Sequence, residues 1–94
     1  MRESDLILKI KKYLQTLDRC FFWKEHGGQY GTAGIPDIIV CYKGRFIGLE
    51  AKVGRNNTTK LQSVTIEQIH NAGGIAVVVR SVDDVKAVME KIGG

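Results

Sequence analysis

Two short apolar segments joined by a tight turn constrain the fold of this chain more than any other feature. The segments Ile38 to Tyr42 and Phe46 to Ala51 are rich in β-branched, aromatic and aliphatic residues, and only Lys43-Gly44-Arg45 separates them. This pattern predicts a β-hairpin.

The turn of the hairpin sets which side chains face one another. A two-residue turn at Gly44-Arg45, with glycine first, places Ile39 opposite Glu50 and Asp37 opposite Lys52. Asp37 and Glu50 are then diagonal neighbours on one face of the sheet, roughly 7 Å apart at Cβ. A three-residue turn would put Asp37 on the other face. The predicted register therefore gathers two acids and a lysine on one side of the sheet.

These residue types on one face favour a metal-dependent phosphodiesterase site. The carboxylates of Asp37 and Glu50 can close around a hard divalent cation, and the backbone carbonyl of Ala51 is a further candidate ligand. Such a cation makes a nucleophile from water at neutral pH and offsets charge on the phosphoryl oxygens. Lys52 points the same way as Glu50 and can orient the attacking water. Taken singly, the residues fit ordinary strand-entry chemistry at Pro36-Asp37 or a solvated Glu50–Lys52 ion pair.

Helical periodicity begins near the N-terminus. Ser4 is expected to cap a first helix, and Cys20 to Glu25 then predicts a strand. The apolar residues that recur at helical spacing, and that are expected to cover the sheet, are Leu6, Ile7, Ile10, Leu14 and Leu17.

A helix, a strand and a last helix are predicted after the hairpin. Thr59 is expected to cap a helix that runs to about Ala72, and Ile75 to Val79 is apolar on both faces, as expected for a strand covered on both sides. Ser81 with Asp84 three residues later resembles a capping box. The side chains expected to point inward are Leu61, Val64, Ile69 and Ala72 in the first of these helices and Val82, Val85, Val88, Met89 and Ile92 in the last.

The resulting element order is αβββαβα, which predicts an α/β (α+β) fold with a mixed sheet and helices on both faces, in one domain spanning residues 1–94. A core this small favours oligomerisation as a source of stability. No apolar run approaches a membrane span of roughly 18 residues, and the charged N-terminus lacks a signal core, so we expect an intracellular, cytoplasmic protein with no membrane partner. Cys20 and Cys41 have no CxxC or zinc-type spacing and are expected to be buried reduced thiols.

The chain resembles a stand-alone, phage-type virus-type replication-repair nuclease (VRR-NUC) domain, a branch of the PD-(D/E)XK nuclease superfamily. The signature residues are Gly34-Ile35-Pro36-Asp37 followed by Glu50-Ala51-Lys52. The alanine in the second motif stands where larger aliphatic residues are common. Supporting features, which extend the resemblance over nearly the whole chain, are Glu3 at the opening of the first helix, Gly27-Gly28, Gln62, and Gly73-Gly74 before the strand Ile75 to Arg80.

The resemblance implies a restriction-endonuclease-like core and a DNA nuclease that depends on Mg²⁺ or Mn²⁺ and needs no small-molecule cofactor. It adds Glu3 to the candidate metal ligands, although an acid there would also suit the helix dipole. It assigns Gln62 a contact with the scissile strand or with the metal's water. The alternative is that Gln62 is an ordinary surface residue of the helix. The small phage-type members are similar to homodimeric Holliday-junction resolvases, so branched DNA is the favoured substrate.

Charge is consistent with a polyanionic partner. The chain has 14 basic and 10 acidic residues, a formal net charge of +4, and such an excess favours binding to phosphates by counterion release. The alternative is that the lysines only keep a small domain soluble. The candidate DNA contacts are Lys9, Lys12, His26, Arg55 and Lys60.

The segment from Gly27 to Gly34 predicts a loop whose glycines allow backbone to approach DNA closely. Trp23 and Tyr30 could stack on bases, but Trp23 within Phe21-Phe22-Trp23 fits a core or dimer-interface position better. Phe21 to Trp23 is therefore the candidate dimer seam. Two alternatives to a junction resolvase remain from sequence: a flap or single-strand nuclease, and a non-catalytic nucleic-acid-binding or assembly module on the same fold.

Overall fold

A computed structural model describes residues 1–26 and 33–93 of the chain. Its helices and strands follow the predicted αβββαβα order, so the predicted fold class is confirmed. Gly27-Gly28 and Tyr30 lie outside the described residues. The elements are α1 (Glu3–Leu14), β1 (Cys20–Lys24), β2 (Ile38–Tyr42), β3 (Arg45–Ala51), α2 (Lys60–Asn71), β4 (Ile75–Val79) and α3 (Val82–Gly93).

The four strands form one mixed sheet in the order β1-β2-β3-β4. The pairs β1–β2 and β2–β3 are antiparallel, and β3–β4 is parallel. Because α2 connects two parallel neighbours, the chain must cross from one end of the sheet to the other between β3 and β4. Ala51 at the end of β3 consequently pairs with Val79 at the end of β4, which places Lys52 and Arg80 at the same edge of the sheet.

The hairpin register differs from the prediction by two residues. The turn is Lys43-Gly44, with φ of 51° and 82°, and it pairs Ile39 with Gly48. Positive φ at both positions is typical of a type I′ turn, whose twist matches that of the flanking strands, so the predicted turn one residue later is wrong. Continuing this ladder brings Asp37 opposite Glu50 and not opposite Lys52. A shift of two residues leaves each side chain on its predicted face.

The core lies between the sheet and the helices α1 and α3. It is formed by one stripe of each helix and by the alternate strand residues that face them. The predicted inward residues of α1 and α3 all belong to this cluster or pack against it. The fully buried members are Leu6, Ile10, Leu14, Ile38, Val40, Ile47, Leu49, Ala51, Val79 and Val85.

The opposite face of the sheet is only partly covered. Helix α2 packs there mainly against β4 and reaches β3 through Gln62, with Thr65 as its buried residue. The predicted inward positions Leu61 and Val64 are exposed, and Ala72 is exposed as well, so that prediction is wrong apart from half-buried Ile69. One helix cannot cover a four-stranded face, and the β1–β2 half of this face has no helix over it within the described residues. We call this side of the sheet the open face.

Local capping explains where the helices begin. α1 starts at Glu3 and not after Ser4, because the Asp5 carboxylate accepts a hydrogen bond from the Arg2 backbone N–H at 3.0 Å and so serves the helix start without a serine cap. For α3, Ser81 Oγ accepts from the Asp84 N–H at 3.1 Å as predicted, while the Asp84 carboxylate accepts from the Arg80 N–H. None of the helices within the described ranges is long and apolar enough to cross a membrane.

Candidate metal centre

Asp37 is held where β2 and β3 begin to separate. Its Oδ2 accepts a hydrogen bond from the Ala51 backbone N–H at 2.9 Å, and its carbonyl oxygen accepts from the Glu25 N–H at 2.8 Å. Pro36 packs directly on Gly48, where a Cβ would lie 2.7 Å from the proline Cγ. Glycine at position 48 is therefore required for Pro36 to bring the Asp37 side chain over β3.

Glu50 is a buried carboxylate that protein groups satisfy only in part. It is 1% exposed; its Oε1 accepts from Gln62 Nε2 at 3.2 Å, and its Oε2 has no hydrogen-bond partner in the described structure. The pKa of Glu50 is raised to about 8, chiefly by burial and then by hydrogen bonding and Coulombic repulsion from Asp37; Lys52 lowers it, and Glu3 makes the last contribution that raises it. Two ionised carboxylates cannot donate a hydrogen bond to each other. The contact between Asp37 and Glu50 therefore needs a proton or a cation to become favourable.

Lys52 is buried beside these acids. Its side chain is on the same face as that of Glu50, and its backbone N–H donates to the Val79 carbonyl at 3.1 Å. The alternative interpretation of Glu50 and Lys52 as an ion pair is not supported: in the part of the chain that the structure describes, the ion pair within 4 Å is Arg2 with Asp5. The ammonium therefore reaches the site without neutralising Glu50 by direct contact.

Gln62 connects the start of α2 to Glu50. Thr59 Oγ1 accepts from the Gln62 backbone N–H at 3.1 Å, and Gln62 Oε1 accepts from the Thr59 N–H at 2.9 Å, so the predicted Thr59 cap is confirmed as a full capping box. The remaining amide group of Gln62 then donates to Glu50 Oε1. Gln62 is thus not a surface glutamine, and it positions a carboxylate of the site.

Glu3 lies further from the other two acids. It is half-buried at the first residue of α1 and acts on Glu50 through Coulombic repulsion, the last of the causes of the raised pKa. Among residues 1–26 and 33–93, no three His, Cys, Asp or Glu side chains are grouped closely enough to hold a metal ion. The close donor set therefore consists of Asp37, Glu50 and nearby backbone.

The basic residues selected from the sequence are all exposed: Lys9, Lys12, His26, Arg55 and Lys60. Sequence reasoning missed Arg80. Its guanidinium donates to the carbonyls of Gly54 and Asn56 at 3.1 and 2.8 Å and to Asn57 Oδ1 at 3.3 Å. These bonds fix the loop that follows Lys52 and carries Arg55. The parallel pairing of β3 with β4 is the signal that could have identified Arg80 as a residue near the site, because this pairing places it beside Lys52.

The aromatic and cysteine predictions need correction. Phe21 and Trp23 are 68% and 45% exposed on the open face, so Trp23 is not a core residue. Cys41 is exposed and Cys20 half-buried, so the prediction of two buried thiols is wrong for Cys41. Burial raises the pKa of Cys20. Cys20 pairs with Tyr42, and Cys41 with Phe21, so the two thiols are on opposite faces of the sheet.

Comparison with known proteins identifies the fold. A solved structure described as "VRR_NUC domain" superposes with a TM-score of 0.77 over 94% of both chains, at 22% identity. Another, described as "VRR_NUC domain protein", gives 0.73 over 96% of this chain and 86% of that one, at 21% identity. No protein-family model matches the sequence, and no curated protein matches it significantly. The chain therefore has the VRR_NUC domain fold, which confirms the predicted resemblance at the level of structure.

Proposed function

We propose that this chain is a nuclease that hydrolyses phosphodiester bonds in DNA with Mg²⁺ or Mn²⁺. The observation that carries the proposal is the buried Glu50 carboxylate, which faces a second carboxylate and has an oxygen without a hydrogen-bond partner among residues 1–26 and 33–93. A buried charge without compensation is costly, and a cation between Glu50 and Asp37 would remove that cost. The VRR_NUC fold supports the same class of activity.

The residues present fit a small hard cation. Asp37 and Glu50 would supply carboxylate oxygens and the Ala51 carbonyl a neutral one, the ligand types that Mg²⁺ and Mn²⁺ take. Water would complete the coordination, and Glu3 would contribute its charge at longer range. When bound, the cation supplies a water-derived nucleophile at neutral pH and offsets charge on the phosphoryl oxygens.

The other side chains of the site have separate roles. Lys52 holds a positive charge where the scissile phosphate enters and stabilises the oxygens that gain charge as phosphorus becomes pentavalent. Gln62 keeps Glu50 in one orientation, since its own carbonyl oxygen is already used by Thr59. Partial burial of the site limits the water that would screen these charges.

DNA is the proposed polymer because exposed basic side chains surround the site. Arg55 lies on the loop after Lys52, Lys60 at the first residue of α2, and His26 just after β1. Phosphate contacts of this kind position a duplex without reading its sequence. The proposal therefore includes selectivity for DNA structure over base sequence, with the four-way junction as the first candidate.

A junction has two equivalent scissile phosphates, so we propose a homodimer with one site per subunit. The sequence predicted the seam at Phe21 to Trp23. The seam proposed here keeps Phe21 and moves to the end of the open face away from the carboxylates, where Phe21, Cys41 and Phe46 are exposed side by side. An apolar cavity of about 380 Å³ adjoins Phe46 and is lined by Ile35, Thr65, Gln68, Ile69, Ala72 and Gly74. Light scattering should report about twice the chain mass at micromolar concentration.

The test is cleavage of labelled linear, flap and four-way-junction DNA in EDTA, Mg²⁺, Mn²⁺ or Ca²⁺. We expect cleavage with Mg²⁺ or Mn²⁺, and its loss in Asp37→Asn and Glu50→Gln without loss of folding. Lys52→Ala should lose cleavage but keep metal-induced stabilisation, because an ammonium is not a ligand. Exposed Glu67→Gln and Lys91→Ala are matched controls.

Different outcomes would redirect the proposal. DNA binding without cleavage under any metal would indicate a non-catalytic binding module on this fold. Cleavage of flaps or single strands by a strict monomer would indicate a flap-type nuclease. Mixed dimers with one Glu50→Gln subunit should nick a junction without resolving it, and full resolution would contradict the model of one site per subunit.

A further inference from the structure

Trp23 lies beside the candidate metal centre. It pairs with Ile39 across β1 and β2, and Asp37 is two residues before Ile39 on the same face. Diagonal neighbours of this kind are roughly 7–8 Å apart at the backbone. The Glu25 N–H, bonded to the Asp37 carbonyl at 2.8 Å, ties the end of β1 to the aspartate. An aromatic ring is therefore held next to a carboxylate of the site.

The ring of Trp23 is fixed at its edge. Its indole N–H donates to Glu25 Oε2 at 3.0 Å, and this bond lies in the plane of the ring. The Phe21 and Trp23 ring centroids are 6.1 Å apart with planes inclined at 55°, so the rings are tilted and not stacked face to face. The arrangement orients the indole and leaves aromatic surface accessible, consistent with exposures of 45% for Trp23 and 68% for Phe21.

We propose that Trp23, supported by Phe21, stacks on an unpaired nucleobase beside the scissile phosphate. This rests on the proposed DNA nuclease function and specifies its substrate: DNA with unstacked bases at the cleavage point, such as a flap, a junction centre or a single strand. Successive phosphates of one strand are about 3.4 Å apart along a stacked helix and further apart when the bases are unstacked, so a base at Trp23 belongs to a nucleotide within about two steps of a phosphate at Asp37. Bases within an intact duplex are paired and stacked, and offer no face to Trp23.

A nucleobase fits this position better than a second copy of the chain. A subunit packed over Trp23 would cover the side of the sheet from which a phosphate must reach Asp37 and Glu50. The proposed seam at Phe46 lies one cross-strand row away from Trp23, since Phe46 pairs with Cys41 and Cys41 with Phe21. Such a seam can include Phe21 and still leave Trp23 open. The net charge of +4 also favours a polyanionic partner for the chain.

The experiment uses Trp23 as its own reporter, because it is the single tryptophan of the chain. In Ca²⁺, the protein is titrated with three DNAs: a duplex with an oligo-dT flap, the same duplex with abasic sites in the flap, and a blunt duplex. Trp23 emission is recorded, and fluorescein anisotropy of the same DNAs reports binding independently. We expect saturating quenching by the dT flap at the concentrations where anisotropy rises, and much less by the abasic flap.

Variants separate stacking from packing. Trp23→Ala should weaken dT-flap binding by about 5- to 150-fold, the range for loss of one stacked base, and leave abasic-flap and blunt-duplex binding unchanged. Trp23→Phe should retain most of the affinity, whereas Trp23→Leu, apolar but not aromatic, should not. Metal-induced stabilisation of each variant verifies that its fold and metal centre are intact.

Several results would overturn the inference. One is binding of the dT flap by anisotropy with no change in Trp23 emission, and another is equal weakening of flap and blunt duplex by Trp23→Ala. A change of emission with protein concentration alone would place Trp23 in a dimer seam. If any of these results is obtained while metal-dependent cleavage persists, only the proposed stacking role of Trp23 is refuted. Absence of all DNA binding would refute the proposed nuclease function as well.

Discussion

Replacing Glu50 by glutamine should stabilise the metal-free protein at alkaline pH. The pKa of Glu50 is raised from 4.5 to about 8, chiefly by burial and then by Asp37. Between these values the folded state binds more protons than the unfolded state, so stability is full below pH 4.5 and falls as pH rises through 8. Glutamine has the shape of the protonated acid and cannot ionise, and its amide can donate to Asp37.

The magnitude follows from the pKa shift. Each unit corresponds to about 1.4 kcal/mol, so ionised Glu50 costs the metal-free fold about 5 kcal/mol above pH 8 if the full shift applies, and about 2 kcal/mol if water enters the site. The free energy of unfolding of Glu50→Gln should therefore exceed that of the wild type by about 2 to 5 kcal/mol at pH 9, and the two should be nearly equal at pH 4. For a domain of this size that is a rise in Tm of about 8 °C or more at pH 9.

The assay is urea denaturation in EDTA at several pH values between 4 and 9, with Glu67→Gln as control. The difference between wild type and Glu50→Gln removes the contribution of every other titrating group. In a matched series with Mn²⁺ in place of EDTA, metal at 100 times its Kd should add about 2.7 kcal/mol to the stability of the wild type and little to that of the variant. Parallel pH profiles for the two proteins, or a Glu50→Gln variant that is less stable at pH 9, would refute the reasoning.

Three further predictions concern the surroundings of the site. Gln62→Ala should cost about 1 kcal/mol of stability and also lower metal affinity and cleavage. Thr59→Ala should cost the same stability but keep metal affinity and cleavage, because it leaves the hydrogen bond from Gln62 to Glu50 in place. Denaturation and metal titration distinguish the two variants. Arg80→Ala should release the Gly54–Asn57 loop and raise the Kd for DNA more than it lowers kcat, and an unchanged Kd would contradict its role. DNA affinity in Ca²⁺ should fall steeply with salt, with a slope of about −0.9 per phosphate contacted on duplex DNA, and a flat dependence would mean that the basic residues only confer solubility.

The sequence by itself determined which side chains share the site face. Asp37, Glu50 and Lys52 are on one side of the hairpin because side chains alternate along a strand, and a turn misplaced by one residue, which shifts the register by two, did not change that. The helix cap at Thr59, with Gln62 three residues later, could also be predicted from the sequence, because this signal is local. The element order followed for the same reason, since periodicity and turn residues act over a few positions.

Tertiary structure decided the environment of those side chains. Whether Glu50 keeps an oxygen without a partner depends on α2 and on the separation of β2 from β3, contacts between residues distant in the chain. Arg80 lies beside Lys52 and holds the loop after it only because β3 and β4 pair in parallel. Trp23 is exposed because one helix covers one half of the open face, whereas its apolar sequence neighbours had favoured burial. Burial depends on how elements pack, and the hydrophobic pattern of a single segment cannot specify which of its faces another element will cover.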